Sequence, residues 1–184
     1  MIKPAITAVI GLALCSFVRA EPVKCAGFEK GDKTAARVIK NASAEVVTAG
    51  ADEIIPEGER YFSVTLAPGT FLAVTLPTSA IPAKAATITM WLKGSPENKS
   101  KPVLSMDEWG WKGRSWEGNA MIDLSEAEWV RYEFKAADFI RRSSKDAKAS
   151  GPMRINEHQR LVIGLPDRKG YESVKFAIDD IEIE

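Results

Sequence analysis

The segment from Asp107 to Asn119 concentrates residues that could bind a ligand. It holds three of the five tryptophans, Trp109, Trp111 and Trp116, interleaved with Asp107, Glu108, Arg114, Glu117 and Asn119. Indole rings pack on the C–H faces of sugars, while neighbouring carboxylates, amides and guanidinium groups bond the hydroxyls. In a strand Trp109 and Trp111 share one face, and the flanking glycines let a ligand approach the backbone. The same rings could instead fill a core, because large aromatic side chains are costly to leave in water. Trp91 and Trp129 stand in clearer strand patterns, where core packing is the expected role.

A second cluster is acidic. The chain ends in Val174-Lys175-Phe176-Ala177-Ile178-Asp179-Asp180-Ile181-Glu182-Ile183-Glu184, an alternating run broken by two adjacent carboxylates. Such a pair costs stability unless it is hydrogen-bonded, solvated or neutralised. A hard cation such as Ca²⁺, which takes oxygen ligands, is one way to neutralise it. Gly27-Phe28-Glu29-Lys30-Gly31-Asp32 forms a second acidic turn near the other end. Pairing of the first and last strands would bring Glu29 and Asp32 towards Asp179 and Asp180.

Catalytic readings have less support. His158 is the only histidine, so a histidine-rich metal site is excluded and a Ser-His-Asp arrangement would hang on one residue. Beside Arg160, it reads as a solvated loop residue. The carboxylate pairs Asp107 with Glu108 and Glu126 with Glu128 could cleave glycosides only if two of them faced one cleft. Neither a phosphate loop nor a dinucleotide fingerprint is present.

The elements that must position these residues are short and alternating. Tyr61 to Leu66 and Phe71 to Leu76 flank Ala67-Pro68-Gly69-Thr70, a turn with Pro and Gly in its central places, and are expected to form a hairpin. Thr87 to Lys93 puts Ile88, Met90 and Leu92 on one face and Thr87, Thr89 and Trp91 on the other. Trp129 to Phe134, Arg160 to Leu165 and the final run alternate likewise, whereas Arg141 to Gly151 is polar and aperiodic. Many short strands without alternating long helices predict an all-β, antiparallel sandwich.

Residues 1–20 read as a signal peptide, with Lys3, an apolar Ala5 to Phe17 and Val18-Arg19-Ala20 as the cleavage site. Leu12-Ala13-Leu14-Cys15 loosely matches a lipoprotein box, but Leu14 stands where that motif wants a small residue. The expected product is a single domain over 21–184, secreted or periplasmic, with Cys25 as its one thiol. The whole sequence carries 25 basic and 25 acidic residues. No basic stripe points to nucleic acid.

Taken together, Gly27-Phe28-Glu29, Ile88-Thr89-Met90-Trp91-Leu92-Lys93-Gly94, Glu128-Trp129-Val130-Arg131-Tyr132-Glu133-Phe134, Leu161-Val162-Ile163-Gly164 and Phe176-Ala177-Ile178-Asp179-Asp180-Ile181 resemble the jelly-roll carbohydrate-binding modules with a galactose-binding-like fold. The resemblance implies a polysaccharide or glycan partner. It also implies a structural calcium between the first and last strands, held by Glu29 and by Asp179 or Asp180, with Asp32 as a weaker addition. Two other readings keep the fold but change the activity: a scaffold that pairs with an envelope protein, and a jelly-roll enzyme that cleaves glycans.

Overall fold

A strand whose residues alternate offers one apolar face, which is stable only when another apolar face covers it. In the computed structural model, which describes residues 21–30, 36–39, 43–107, 115–141 and 153–184, these faces meet between two antiparallel sheets. The first sheet holds β1 (Val23–Ala26), β3 (Ser43–Thr48), β4 (Arg60–Leu66), β6 (Thr87–Lys93), β9 (Trp129–Lys135) and β12 (Val174–Ile183). The second holds β2 (Ala36–Ile39), β5 (Phe71–Thr75), β7 (Val103–Asp107), β8 (Ser115–Met121), β10 (Phe139–Arg141) and β11 (Arg160–Gly164). This is the antiparallel β-sandwich the strand pattern predicts.

The strand order of the first sheet is β3-β4-β12-β6-β9, and β1 pairs with the end of β12. The second runs β10-β8-β7-β11-β5-β2. Val64, Leu66, Ile88, Met90, Leu92 and Ile178 face inward from the first sheet and are fully buried. Leu72, Val74, Leu104, Met106, Leu161 and Ile163 meet them from the second. Each such side chain contributes about 1.5–3 kcal/mol of transfer free energy.

Three local expectations are corrected. Tyr61 to Leu66 and Phe71 to Leu76 do not form a hairpin: β4 pairs with β3 and β12, while β5 pairs with β11 and β2. The turn between them instead carries the chain from one sheet to the other. Gly69 takes the positive φ of 78° that this turn needs, and its N–H donates to Leu165 O at 2.8 Å. Trp91 and Trp129 are not core residues; both are half-buried on the outward face of the first sheet. Since Met90 and Leu92 face the core, Trp91 between them must face out. His158 is not solvated either. It is 1% exposed, carried inward behind a 3₁₀ turn, Ile155–Glu157, whose Ile155 is buried.

The first and last strands pair as expected: β1 meets β12 through Val23↔Ile183, Lys24↔Glu182 and Ala26↔Ile181, and a 3₁₀ turn spans Ala136–Asp138. Residues 1–20 and 142–152 lie outside the described residues. No helix among the described residues is long and apolar enough to cross a membrane.

Gly94, which follows β6, packs its backbone against that of Leu124. A Cβ there would overlap the Leu124 carbonyl and lie 2.9 Å from its Cα. The two hydrogen bonds on either side, Gly94 N to Glu126 O at 2.7 Å and Ser95 N to Leu124 O at 2.9 Å, hold this approach. Gly94→Ala should therefore cost about 1–3 kcal/mol in urea unfolding, as overpacking does. Gly50→Ala, where a Cβ meets nothing within 4 Å, should stay within about 0.5 kcal/mol of the parent.

Candidate functional site

The outward residues of β5, β11 and β7 form three cross-strand rows: Phe71–Gly164–Val103, Ala73–Val162–Ser105 and Thr75–Arg160–Asp107. Ala73, Val162, Ser105 and Val103 are buried although they face away from the core. The middle of this face is therefore sunk below its surroundings. A cavity of about 230 Å³ lies here, lined by Thr70, Phe71, Ser105, Asp107, Gly164 and Asp167 among others. Its floor is open at Gly164, where a Cβ would come within only 3.6 Å of the Phe71 Cβ, an ordinary contact. From Val103 to Asp107 the floor extends about 13 Å at 3.3 Å per residue.

The groove is polar at its edges. Asp107 has a buried Oδ1 that accepts no hydrogen bond from the described residues. Its backbone carbonyl accepts from Gln159 N at 3.2 Å, and Arg160 is its cross-strand partner. A buried acceptor without a donor is costly, so a ligand hydroxyl placed there would gain a strong site. Phe71, half-buried beside the floor, offers a ring face.

Of the residues expected to bind sugar, Asp107 lies in this groove. Glu108, Trp109, Trp111 and Arg114 are outside the described residues. Trp116 and Asn119 fall within β8, where Trp116 is in register with Met106; their side chains are not described. Asp107 and Ser115, the residues that bracket the tryptophan-rich segment, are themselves register partners. That segment thus begins and ends at the Asp107 end of the groove. Phe71, Ser105, Gly164 and Asp167 escaped the sequence reading because it sought large rings. The only signal was a set of small residues, Ala73, Ser105 and Gly164, at outward strand positions.

The second geometry is at the chain ends. β12 shifts register against β6 between Asp179 and Glu182, and Asp180 adopts a φ of +46°. Asp179 is fully buried. It accepts from Asp180 N at 2.8 Å and Glu57 N at 3.3 Å. Glu29 accepts from Glu59 N at 2.8 Å and Arg60 N at 2.9 Å, on the same loop. Lys24 pairs closely with Glu57, and its Nζ lies 3.6 Å from Asp180 Oδ1. Cys25 beside it is buried, and burial, with Glu182 adding to it, pushes its thiol up to about 12. It is therefore protonated and unreactive in the folded chain.

No family model matches the sequence, and no curated protein matches it. The structure does have neighbours. The family 11 carbohydrate-binding module of the cellulosomal cellulase Lic26A-Cel5E of Clostridium thermocellum superposes with a TM-score of 0.61 at 14% identity, over 90% of this chain and 95% of that one. The same organism's family 11 module in complex with a β-1,3-1,4-mixed-linked tetrasaccharide gives 0.58 at 15% identity, over 88% and 94%. The CBM22-1 xylan-binding domain of Xyn10C from Paenibacillus barcinonensis gives 0.55 at 12%, over 89% and 94%. The fold is that of the β-sandwich carbohydrate-binding modules.

With that fold in place, the calcium expectation can be set against the residues. Asp32 lies outside the described residues. Glu29 and Asp179 each accept two backbone N–H groups, and Asp180 faces an ammonium. Among the described residues no three His, Cys, Asp or Glu side chains form a group that could hold a metal ion. The described chain-end carboxylates thus meet backbone donors and Lys24.

The buried carboxylates carry a pH signature instead. Burial raises Asp179 to about 7, against the pull of its two N–H donors and Lys24. Burial also raises Asp180, to about 6, with Glu57 and Glu182 adding to it. Both groups are protonated more readily in the folded state than in the unfolded chain, where aspartate titrates near pH 4. Their contribution is full below that value and is lost as pH rises through about 7. Urea unfolding should thus show greater stability at pH 5.5 than at pH 8, and Asp179→Asn should flatten the difference. A parent protein that weakens over the same acidification would show that Asp179 is ionised in the folded state.

Proposed function

We propose that this chain is an exported, non-catalytic glycan-binding domain whose ligand lies in the groove over β5, β11 and β7. The observation that carries the reading is the sunken outward face itself, with an aromatic side, an open glycine floor and, at one end, a buried carboxylate oxygen that has no donor among the described residues. A sugar chain meets each feature with matching chemistry. Its C–H face suits Phe71, its hydroxyls suit Asp107, Ser105 and Asp167, and its thickness suits the place where Gly164 has no side chain. A groove of this size seats part of an extended chain, in contrast to the deeper pockets that engulf small ligands.

In this reading the tryptophan-rich segment extends the groove. Trp109, Trp111 and Trp116, with Glu108, Arg114 and Asn119, would supply an aromatic platform continuing from Asp107. Export rests on the leader-like residues 1–20. Support for the ligand class comes from the fold, shared with modules described as xylan-binding or as complexed with a mixed-linked tetrasaccharide.

The test is calorimetric titration of the purified chain with soluble polysaccharides, beginning with mixed-linked β-glucan and xylan. Phe71→Ala and Asp107→Asn should each weaken binding at least ~10-fold, the effect of losing about 1.4 kcal/mol. Trp111→Ala should weaken it as well, with the melting temperature little changed. Gly164→Ala, which the fold tolerates, should weaken binding by raising the floor. A chain that binds none of these polymers, or groove variants that bind like the parent, would remove the proposal.

A further inference from the structure

The chain-end junction poses a problem of charge. Asp180 and Glu57 both carry a carboxylate to the Lys24 ammonium where β1, β12 and the loop before β4 come together, and the adjacent Asp179 is fully buried. Ionised carboxylates this close repel unless a cation stands between them. The module fold implies a calcium at the chain ends, yet the described residues do not form a cage for one.

They do form a seat for an ammonium. Lys24 leaves β1 opposite Glu182 and reaches both Glu57 and Asp180. Its path crosses Gly27: a Cβ there would collide with Lys24 Cε and come within 2.6 Å of Nζ. Gly27 thus leaves the space that lets the lysine fold back over its own strand. Three segments distant in sequence share this one cation.

We propose that Lys24 is the built-in counter-ion of this junction, doing in this chain the neutralising work that a divalent cation would do. The tie between β1, β12 and the loop 53–60 is then independent of metal. Lys24 holds the loop through Glu57, while Asp179 accepts the N–H of the same residue. Glu29 fixes the loop two residues further on, with no charge partner required. The Glu182 carboxylate lies 3.7 Å from Arg131, so its charge has a cation of its own. The inference is independent of whether the groove binds a glycan.

The experiment is a set of thermal melts of the full chain, first stripped with EDTA and then returned to calcium, with calcium titrated into the stripped protein by calorimetry. The parent should melt at one temperature in both conditions and give no binding heat. Lys24→Met should lower the melting temperature by several degrees. Most of that loss should be absent when Lys24→Met is made in a Glu57→Gln background, since the pair is already broken there. A parent that loses stability in EDTA, or binds calcium, would overturn the proposal, as would a Lys24→Met protein that melts like the parent. If Lys24→Met fails to fold, Lys24→Arg keeps the positive charge and must fold and remain insensitive to chelator; a chelator-sensitive Lys24→Arg protein would equally overturn it.

Discussion

A carboxylate placed without solvent in the middle of a sheet is the constraint around which this molecule is arranged. Asp179 sits in β12, which carries β4 and β1 on one side and β6 on the other. It cannot simply turn to water, so its oxygens must be met by donors. Two backbone N–H groups meet them, and each has a structural consequence. The donor at Asp180 comes with a positive φ and a break in the β6 ladder, which lets Ile181 and Ile183 regain the core after two acidic residues. The donor at Glu57 draws the loop before β4 down to the end of the sheet. A strand that looked interrupted is instead a strand that anchors its neighbours.

That anchoring explains why the outward face of the first sheet is closed. Glu53, on the same loop, pairs with Lys93 at 3.0 Å and receives the Tyr61 hydroxyl at 3.4 Å. Lys93 in turn stands 6.0 Å from the centre of the Trp129 ring, which Tyr61 meets edge-on at 5.6 Å. Neighbouring Arg131 bonds Thr89 and pairs with Glu182 and Glu184. The Trp129 ring is thus packed between Lys93 and Tyr61, and it serves the sheet although it lies outside the core.

The legibility of these features in the sequence depended on what each required of its own residues. Pairing of the first and last strands was suggested by the acidic residues near both chain ends, Glu29 and Asp32 at one and Asp179 and Asp180 at the other, which needed an explanation. The face on which each tryptophan stands was readable from period two alone, but which face became the core was not, since both faces of β6 carry large side chains. The supposed hairpin failed for a related reason. Strands on either side of a Pro-Gly turn alternate identically whether they pair in one sheet or face each other across the core, and Leu66 and Leu72 are equally buried in the second case. His158 was misplaced because a short 3₁₀ turn leaves almost no sequence pattern, while a single buried Ile155 is enough to carry it inward.

The groove was the least legible part, because it is built largely from what its residues lack. Ala73, Ser105 and Gly164 are unremarkable as letters in a strand, and only their juxtaposition across three strands removes volume from the outward face. The two faces of the sandwich thus differ in kind. On the first, a loop held by Asp179, Lys24 and Glu29 brings Glu53 to Lys93 and Tyr61, the two residues packed against the Trp129 ring. On the second, small residues leave room beside a ring, and an aspartate oxygen at the edge has no donor among the described residues. Ligand binding needs both free volume and unspent hydrogen-bonding capacity. The conspicuous ring of Trp129 is packed against Lys93 and Tyr61, whereas the inconspicuous positions around Gly164 leave both room and a buried acceptor, which is why the groove, and not the richer aromatic face, carries the functional reading.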